Sequence, residues 1–185
     1  LDITVNTDSE KFIHQLLSSN LKSIEVIRRL NKHIDWENDE KIDSSPVEDM
    51  LFDFCEKIDS SEVVVLTHVT SPFLKKQTIL DAVDVLQSNK KAKSIHSVQQ
   101  VQDFVWLKKG NEAIPINFCT DRVQRTQDLP PMLISKGAFF NARTADILGP
   151  RSRLPEPALF VALDRIQGLD IDDFRVFEFA RILGD

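Results

Sequence analysis

A run of four apolar residues, VVVL at residues 63–66, constrains the fold more than any other feature of the sequence. A continuous apolar run of this length is typical of a strand that is covered on both faces, as in a parallel sheet with helices on each side. Segments with helical periodicity flank it at residues 47–58 and 76–86. The sequence therefore predicts an α/β fold with a doubly wound, mainly parallel sheet.

Strand and helix patterns alternate along the rest of the chain. The predicted strands are residues 3–5, 25–27, 62–66, 93–98, 138–140 and 158–163. A hairpin with a Gly-Asn turn is predicted to join residues 104–106 to residues 113–116. Two short helices are predicted near the C-terminus, at residues 143–148 and 174–183.

The first third of the chain carries two helix-start patterns. Thr7 or Asp8 is predicted to cap the first helix. Its apolar residues at core-facing spacing are Phe12, Ile13, Leu16 and Leu17. Residues 31–45 are polar and charged and are predicted to form a loop, in which Ser44 or Ser45 caps a helix beginning near Pro46.

Composition narrows the classes of function. The 185 residues fit a single domain over residues 1–185, and the net charge of −6 argues against a nucleic-acid-coating role. No apolar run is long enough to span a bilayer, so no membrane partner is expected. Cys55 and Cys119 form neither a disulfide framework nor a zinc pattern, which favours a reducing, cytoplasmic location. The chain has only five glycines and contains neither of the two common glycine-rich phosphate-binding motifs, GxGxxG and GxxxxGK[ST].

Three acids precede the last predicted helix, at Asp170, Asp172 and Asp173. Carboxylates two residues apart in an extended segment point to the same side, where their hard oxygens can hold Mg²⁺ together with a phosphate substrate. Acids in this position also cap helices and complement the helix dipole. The spacing leaves both interpretations open.

Two other polar segments are candidate binding sites. Thr70 and Ser71 follow the apolar strand, where they can contact a ligand or form a capped turn before Pro72. Arg122 and Arg125 lie in a polar loop that ends at two prolines. They can bind a carboxylate or a phosphate, or the loop can simply be exposed to solvent.

Taken in order, six segments resemble those of the acylneuraminate cytidylyltransferases, which activate acidic sugars, and more distantly those of the KDO cytidylyltransferases. The segments are VNTDSE at residues 5–10, SPVED at 45–49, LTHVTSP at 66–72, RTQDLPP at 125–131, GAFF at 137–140 and DID at 170–172. The resemblance covers almost the whole chain, and the segments RTQDLPP and DID are the most specific.

The resemblance implies a doubly wound α/β domain with a small arm, residues 121–157, that makes a homodimer. It implies transfer of CMP from CTP to the anomeric hydroxyl of an acidic sugar, with pyrophosphate released and Mg²⁺ required. By this resemblance, Asp170 and Asp172 would be the catalytic, metal-binding residues. Asp8 and Ser9 would border the nucleotide.

The same resemblance implies a substrate site built from two segments. Thr70 and Ser71 would line the pocket near the sugar, and His68 stands beside them where the family has Gln. Arg125 and Gln127 would lie at the sugar site, partly across the dimer interface.

The sequence also departs from the family pattern. The family begins with a strand, a phosphate-binding loop and a helix that have no counterpart here, so we expect a domain that is N-terminally truncated relative to the family. Lys136 replaces a family Asn, and Val176 replaces a later acid. These departures leave an alternative open: a catalytically degenerate homologue that serves as a dimeric binding or scaffold module.

Overall fold

The computed structural model describes residues 2–19, 24–37 and 46–184. The chain divides into two compact units, Leu1–Ile58 and Asp59–Asp185. The smaller unit contains a two-stranded sheet, and the larger unit contains a four-stranded sheet and a two-stranded hairpin.

In the first unit, β1 (Ile3–Thr7), α1 (Glu10–Ser18) and β2 (Ile24–Arg28) form a strand–helix–strand unit with parallel strands. The cap of α1 is Ser9, whose Oγ accepts the Phe12 N–H at 3.3 Å. The prediction of Thr7 or Asp8 as cap was therefore wrong, because β1 continues to Thr7 and delays the helix start.

The apolar face of α1 is narrower than its spacing predicted. Ile13 and Leu16 are half-buried, whereas Phe12 and Leu17 are exposed in the structure. Two of the four apolar side chains are therefore partly shielded from solvent, and the other two are not.

A helix, α2 (Asn31–Glu37), occupies the start of the segment predicted as a loop. It is held to α3 (Pro46–Cys55) by buried His33, whose Nε2 lies 3.2 Å from Oδ2 of Asp53, and by Lys32 Nζ at 2.6 Å from the same oxygen. Asp53 is about 20 residues from His33 and Lys32 in the sequence. The polar composition of residues 31–45 therefore did not indicate that a helix would form there. The predicted caps Ser44 and Ser45 lie outside the described residues.

The second unit contains a four-stranded sheet in the order β3-β7-β4-β8. Its strands are β3 (Val63–Thr67), β4 (Ser94–Val101), β7 (Met132–Arg143) and β8 (Ala158–Ala162). β4 and β8 are parallel, and β7 is antiparallel to both β3 and β4. Three of the four strands therefore run in one direction, which confirms the α/β, mainly parallel fold.

Among the described residues, β3 is an end strand of this sheet rather than a strand between parallel neighbours. Its apolar run has another cause. Val63 and Val65 pack against the main core, while Val64 is buried on the opposite face. Coverage of both faces, and not parallel pairing, explains the run.

One face of the sheet packs on α4 (Lys76–Ser88). Leu86 and Phe139 are fully buried there and pack with Ile95 in one core cluster. Burial of side chains of this size is the main source of stability, at about 1.5–3 kcal/mol each.

β7 is much longer than the predicted strand at residues 138–140. Its pairing with β4 shifts between His96 and Val98, and Gly137 adopts a φ of +69° in this region. Ser97 Oγ accepts the Phe139 N–H at 2.9 Å and so replaces a missing backbone bond. This irregular pairing lets β7 continue on both sides of Gly137. Strand propensity alone indicated only the part at residues 138–140.

The remaining elements were predicted, although the first strand of the hairpin begins at Trp106, the last residue of the predicted strand at residues 104–106. β5 (Trp106–Lys109) and β6 (Glu112–Pro115) form the expected hairpin, with Gly110 at a φ of +62° in its turn. α5 (Thr144–Leu148) and α6 (Phe174–Gly184) are the two short C-terminal helices. In the part of the chain that the structure describes, none of the helices has the length and apolar character needed to cross a membrane.

Candidate active site

Two loops of the second unit lie side by side. One follows β3 and the other precedes α6, and the Ile171 N–H donates to the carbonyl of Thr70 at 2.9 Å. We refer to residues 68–71 and 168–172 as the paired loops. They bring together five predicted site residues from distant parts of the sequence: His68, Thr70, Ser71, Asp170 and Asp172.

The three acids before α6 divide into two roles. Asp173 caps the helix, since its Oδ1 accepts the Val176 N–H at 2.9 Å and its carbonyl accepts the Phe177 N–H. Asp170 and Asp172 precede the cap and lie within the paired loops. The capping interpretation therefore applies to Asp173, and the other two carboxylates remain available to bind a ligand.

Asp170 has the features of a metal ligand. It is half-buried, and its Oδ1 is buried without a hydrogen-bond partner. A buried carboxylate oxygen needs a donor or a cation to offset its lost hydration. Asp172 is exposed two residues away. Two such hard oxygen donors fit Mg²⁺ that is shared with a phosphate, although residues 2–19, 24–37 and 46–184 contain no cluster of three or more metal-ligating side chains.

Ser71 presents a second unsatisfied group. Its side chain is buried and its Oγ has no hydrogen-bond partner in the structure. A hydroxyl can both donate and accept, so it can bind a ligand hydroxyl or carbonyl. Thr70 is half-buried beside it and uses its carbonyl to bind Ile171.

His68 lies edge-on to Phe140, with ring centroids 6.3 Å apart. Burial lowers the pKa of His68 and the positive charge of Arg153 lowers it further, while the negative charge of Asp170 opposes both effects. The imidazole is therefore neutral at pH 7. It offers one donor and one acceptor nitrogen next to Asp170.

Arg125 and Gln127 belong to a separate turn, formed by a 3-10 helix at Thr126–Asp128. Nε and Nη2 of Arg125 donate to the carboxylate of Asp128 at 2.7 and 3.1 Å. The carbonyl of Gln127 accepts from Nε2 of Gln102 at 2.9 Å. We call residues 125–128 the arginine turn. Within the described residues, no hydrogen bond or ion pair connects it to the paired loops.

Asp8 and Ser9 lie in the first unit. Ser9 is the cap of α1, and Asp8 Oδ1 is 3.6 Å from Nη1 of Arg29. Their contribution to nucleotide binding stays a prediction.

The sequence interpretation missed two residues that shape the second of the paired loops. Asp164 and Gln167 are joined by a side-chain hydrogen bond of 2.9 Å directly after β8. The sequence did contain a signal: Asp164 follows a predicted strand and stands three residues before Gln167. That spacing alone does not distinguish a structured turn from a solvated one.

Comparison with known proteins adds one relative in sequence. No protein-family model matches the chain. The chain is similar to the N-acylneuraminate cytidylyltransferase of Streptococcus agalactiae serotype V, with 27% identity over 180 residues. The alignment covers 92% of this chain and 40% of that protein, so the chain spans less than half the length of this relative.

Solved structures give a likeness in fold. One is 4-diphosphocytidyl-2C-methyl-D-erythritol synthase from Anaerococcus prevotii, with a TM-score of 0.65, 13% identity, and coverage of 100% of this chain and 79% of that one. Another is 2-C-methyl-D-erythritol 4-phosphate cytidylyltransferase from Francisella tularensis, with a TM-score of 0.61, 12% identity, and coverage of 98% and 79%. This chain has the α/β fold of these proteins.

Proposed function

We propose that the chain is a cytidylyltransferase that transfers CMP from CTP to the anomeric hydroxyl of an acidic sugar such as an N-acylneuraminate, releasing pyrophosphate. The observation that carries the proposal is the buried, unpartnered Oδ1 of Asp170 in a loop that is hydrogen-bonded to Thr70. The sequence similarity to an N-acylneuraminate cytidylyltransferase supports the substrate class.

The reaction exchanges one phosphorus–oxygen bond for another. The sugar hydroxyl oxygen attacks the α-phosphorus of CTP, the bond to the pyrophosphate oxygen breaks, and the hydroxyl proton is released. Asp170 and Asp172 would hold Mg²⁺, whose chemistry at such sites is to offset the negative charge that develops on the phosphate oxygens.

The other residues of the paired loops would orient the sugar. Ser71 Oγ can donate to a sugar oxygen, which would satisfy a hydroxyl that is otherwise buried without a partner. His68 would contact the substrate through its neutral ring. Correct placement of the attacking hydroxyl lowers the barrier by removing the entropy cost of the encounter.

The chain is further proposed to act as a homodimer. Apolar side chains are exposed on the hairpin and on the first residues of β7, namely Trp106, Leu107, Ile114, Leu133 and Ile134. A second copy of the chain would cover part of this exposed apolar surface. Arg125 and Gln127 would then reach the partner's sugar site. Light scattering should give a dimer mass at micromolar concentration, and a monomer would contradict this proposal.

A second candidate function is a non-catalytic dimeric binding module. The exposure of Asp172 favours it, because an exposed carboxylate binds a cation weakly without further ligands.

Pyrophosphate release separates the two candidates. The assay contains the chain, CTP, Mg²⁺ and either N-acetylneuraminate or KDO, with the neutral sugar N-acetylmannosamine as control. We expect release only with an acidic sugar and only when CTP and Mg²⁺ are both present. A chain that binds the acidic sugars and dimerises but releases no pyrophosphate would support the binding module.

A further inference from the structure

We propose that Asp164 and Gln167 are positioning residues that anchor the loop at residues 168–172 to α4 and so fix where Asp170 presents its unpartnered oxygen. Neither residue was assigned a role by the sequence or by the resemblance.

Asp164 closes the turn that follows β8. Its Oδ1 accepts the N–H groups of Ile166 and Gln167 at 2.9 and 2.8 Å, and its Oδ2 accepts Nε2 of Gln167 at 2.9 Å. Its carbonyl accepts the Gly168 N–H at 3.0 Å. These bonds lower the pKa of Asp164, so the carboxylate is ionised and acts only as an acceptor.

Gln167 connects this turn to α4. While its Nε2 donates to Asp164, its Oε1 accepts the Thr78 hydroxyl at 2.7 Å and lies 3.4 Å from the backbone N of Lys75, which donates to it. The N-cap residue of α4, Lys75, makes no side-chain cap bond of its own, so Gln167 supplies a cap from a distant part of the chain. The amide group allows this, because its nitrogen donates to the carboxylate while its oxygen accepts from the hydroxyl.

The loop is therefore held at both ends. Gln167 binds α4, which is packed into the core through Ala82 and Leu86, and the Ile171 N–H binds the carbonyl of Thr70. Asp170 lies between these two anchors. Since no hydrogen bond orients the Oδ1 atom itself, we infer that the two anchors of the loop set where this oxygen lies.

The first arm of the test measures the anchor itself in the full chain without ligands. Gln167→Glu places a second carboxylate against Asp164 and removes the donated bond, so amide hydrogen exchange at Ile171 should accelerate by about tenfold or more. The matched control is Gln77→Glu, which breaks an exposed amide–carboxylate bond of 2.7 Å to Asp81 on the same helix. Exchange at Ile171 should be unchanged in this control.

A double swap tests the geometry directly. Asp164→Asn combined with Gln167→Glu reverses the two partners, and the new amide can donate to the new carboxylate while every other acceptor is kept. Exchange at Ile171 should return to the wild-type rate at the same net charge. Failure of this rescue, or unchanged exchange in Gln167→Glu, would overturn the inference.

The second arm rests on the proposed function and follows Mn²⁺ binding by electron paramagnetic resonance in the presence of CTP. Gln167→Glu should weaken Mn²⁺ binding by about 10- to 100-fold, and the double swap should restore it. If exchange at Ile171 becomes faster while the Mn²⁺ affinity is unchanged, the claim that the anchor fixes the position of Asp170 would be overturned. Absence of Mn²⁺ binding by the wild-type chain would contradict the proposed metal site, while the exchange arm would still decide the anchor.

Discussion

The paired loops and the arginine turn were both predicted to bind substrate, but they are built in different ways. Gln167 and Ile171 tie the paired loops to residues that are far away in the sequence. The arginine turn relies on a local pair between Arg125 and Asp128, in which the arginine side chain is 73% exposed. Exposed pairs of this kind contribute at most about 1 kcal/mol. The paired loops are therefore ordered by bonds to the packed core, whereas the arginine turn depends on this exposed pair and on the bond from Gln102 to the Gln127 carbonyl.

The largest effect is expected from Asp172→Asn in the paired loops. Losing one negative oxygen at the proposed metal site should lower turnover by about a thousandfold, with little change in stability because the side chain is exposed. Pyrophosphate release and thermal unfolding measure the two quantities.

Asp173→Asn is the matched control for that variant. Asparagine caps helices as well as aspartate does, so turnover should stay within about twofold of wild type. Equal activity losses in both variants would show that the acids act together as a helix cap.

Acid should weaken the sheet beneath the paired loops. His96 is 4% exposed, and burial together with Arg153 lowers its pKa from 6.5 to about 4. The unfolded chain binds the proton first, so stability should fall as the pH drops from about 6.5 to about 4, by at most about 3 kcal/mol. Urea unfolding at pH 7 and pH 5 measures this loss.

The hydrogen bonds of His96 identify its neutral form. Ser94 Oγ donates to the carbonyl of Pro155 at 2.6 Å, so it must accept from Nε2 of His96 at 2.9 Å. NMR titration should therefore show a ring that keeps its Nε2 proton and stays neutral down to about pH 4. Titration of His96 near its ordinary pKa would contradict the prediction.

Gly168→Ala should disturb the anchored loop more moderately. Its Cβ would lie 3.3 Å from the carbonyl oxygen of Asp164, so the loop must shift at a cost of about 1–2 kcal/mol, and turnover should fall with stability. In Gly149→Ala the Cβ would lie 3.2 Å from the carbonyl oxygen of Ala145, away from the paired loops. That control should lose stability in urea unfolding while keeping its turnover.

The smallest effect on stability is expected from Arg125→Gln. Breaking the exposed pair with Asp128 should change the free energy of unfolding by no more than about 0.5 kcal/mol. If Arg125 binds the sugar carboxylate, the KM for the acidic sugar should rise about tenfold with kcat unchanged. If Arg125→Gln lost as much stability as Gly168→Ala, the arginine turn and the paired loops would not differ in how firmly they are held.

The sequence was sufficient to place the paired loops because the signals there are local. The apolar run before His68 marks the end of a strand, and the acids before α6 mark the start of a helix. In an α/β fold, ligands bind beyond the carboxyl ends of the strands. Asp170 and Asp172 were therefore named as candidate ligands without the structure, and this role stays a prediction. Asp173 was identified as the helix cap only by its bond to Val176.

Other features depend on partners that no local pattern reveals. The bond between Gln167 and Thr78 joins residues from opposite ends of the second unit. α2 was missed because its support comes from His33 and Asp53, on two different helices. The full length of β7 was missed because its continuation depends on the irregular pairing near Gly137.

β7 has a consequence for insertions and deletions. It begins four residues after Asp128 and pairs Phe140 with Leu66 on one side and His96 on the other. Since side chains alternate between the two faces of a strand, loss of one residue before Phe140 would turn that ring away from His68 and pull the arginine turn toward the sheet. Changes in chain length should therefore be tolerated in the β5–β6 hairpin and rejected within β7.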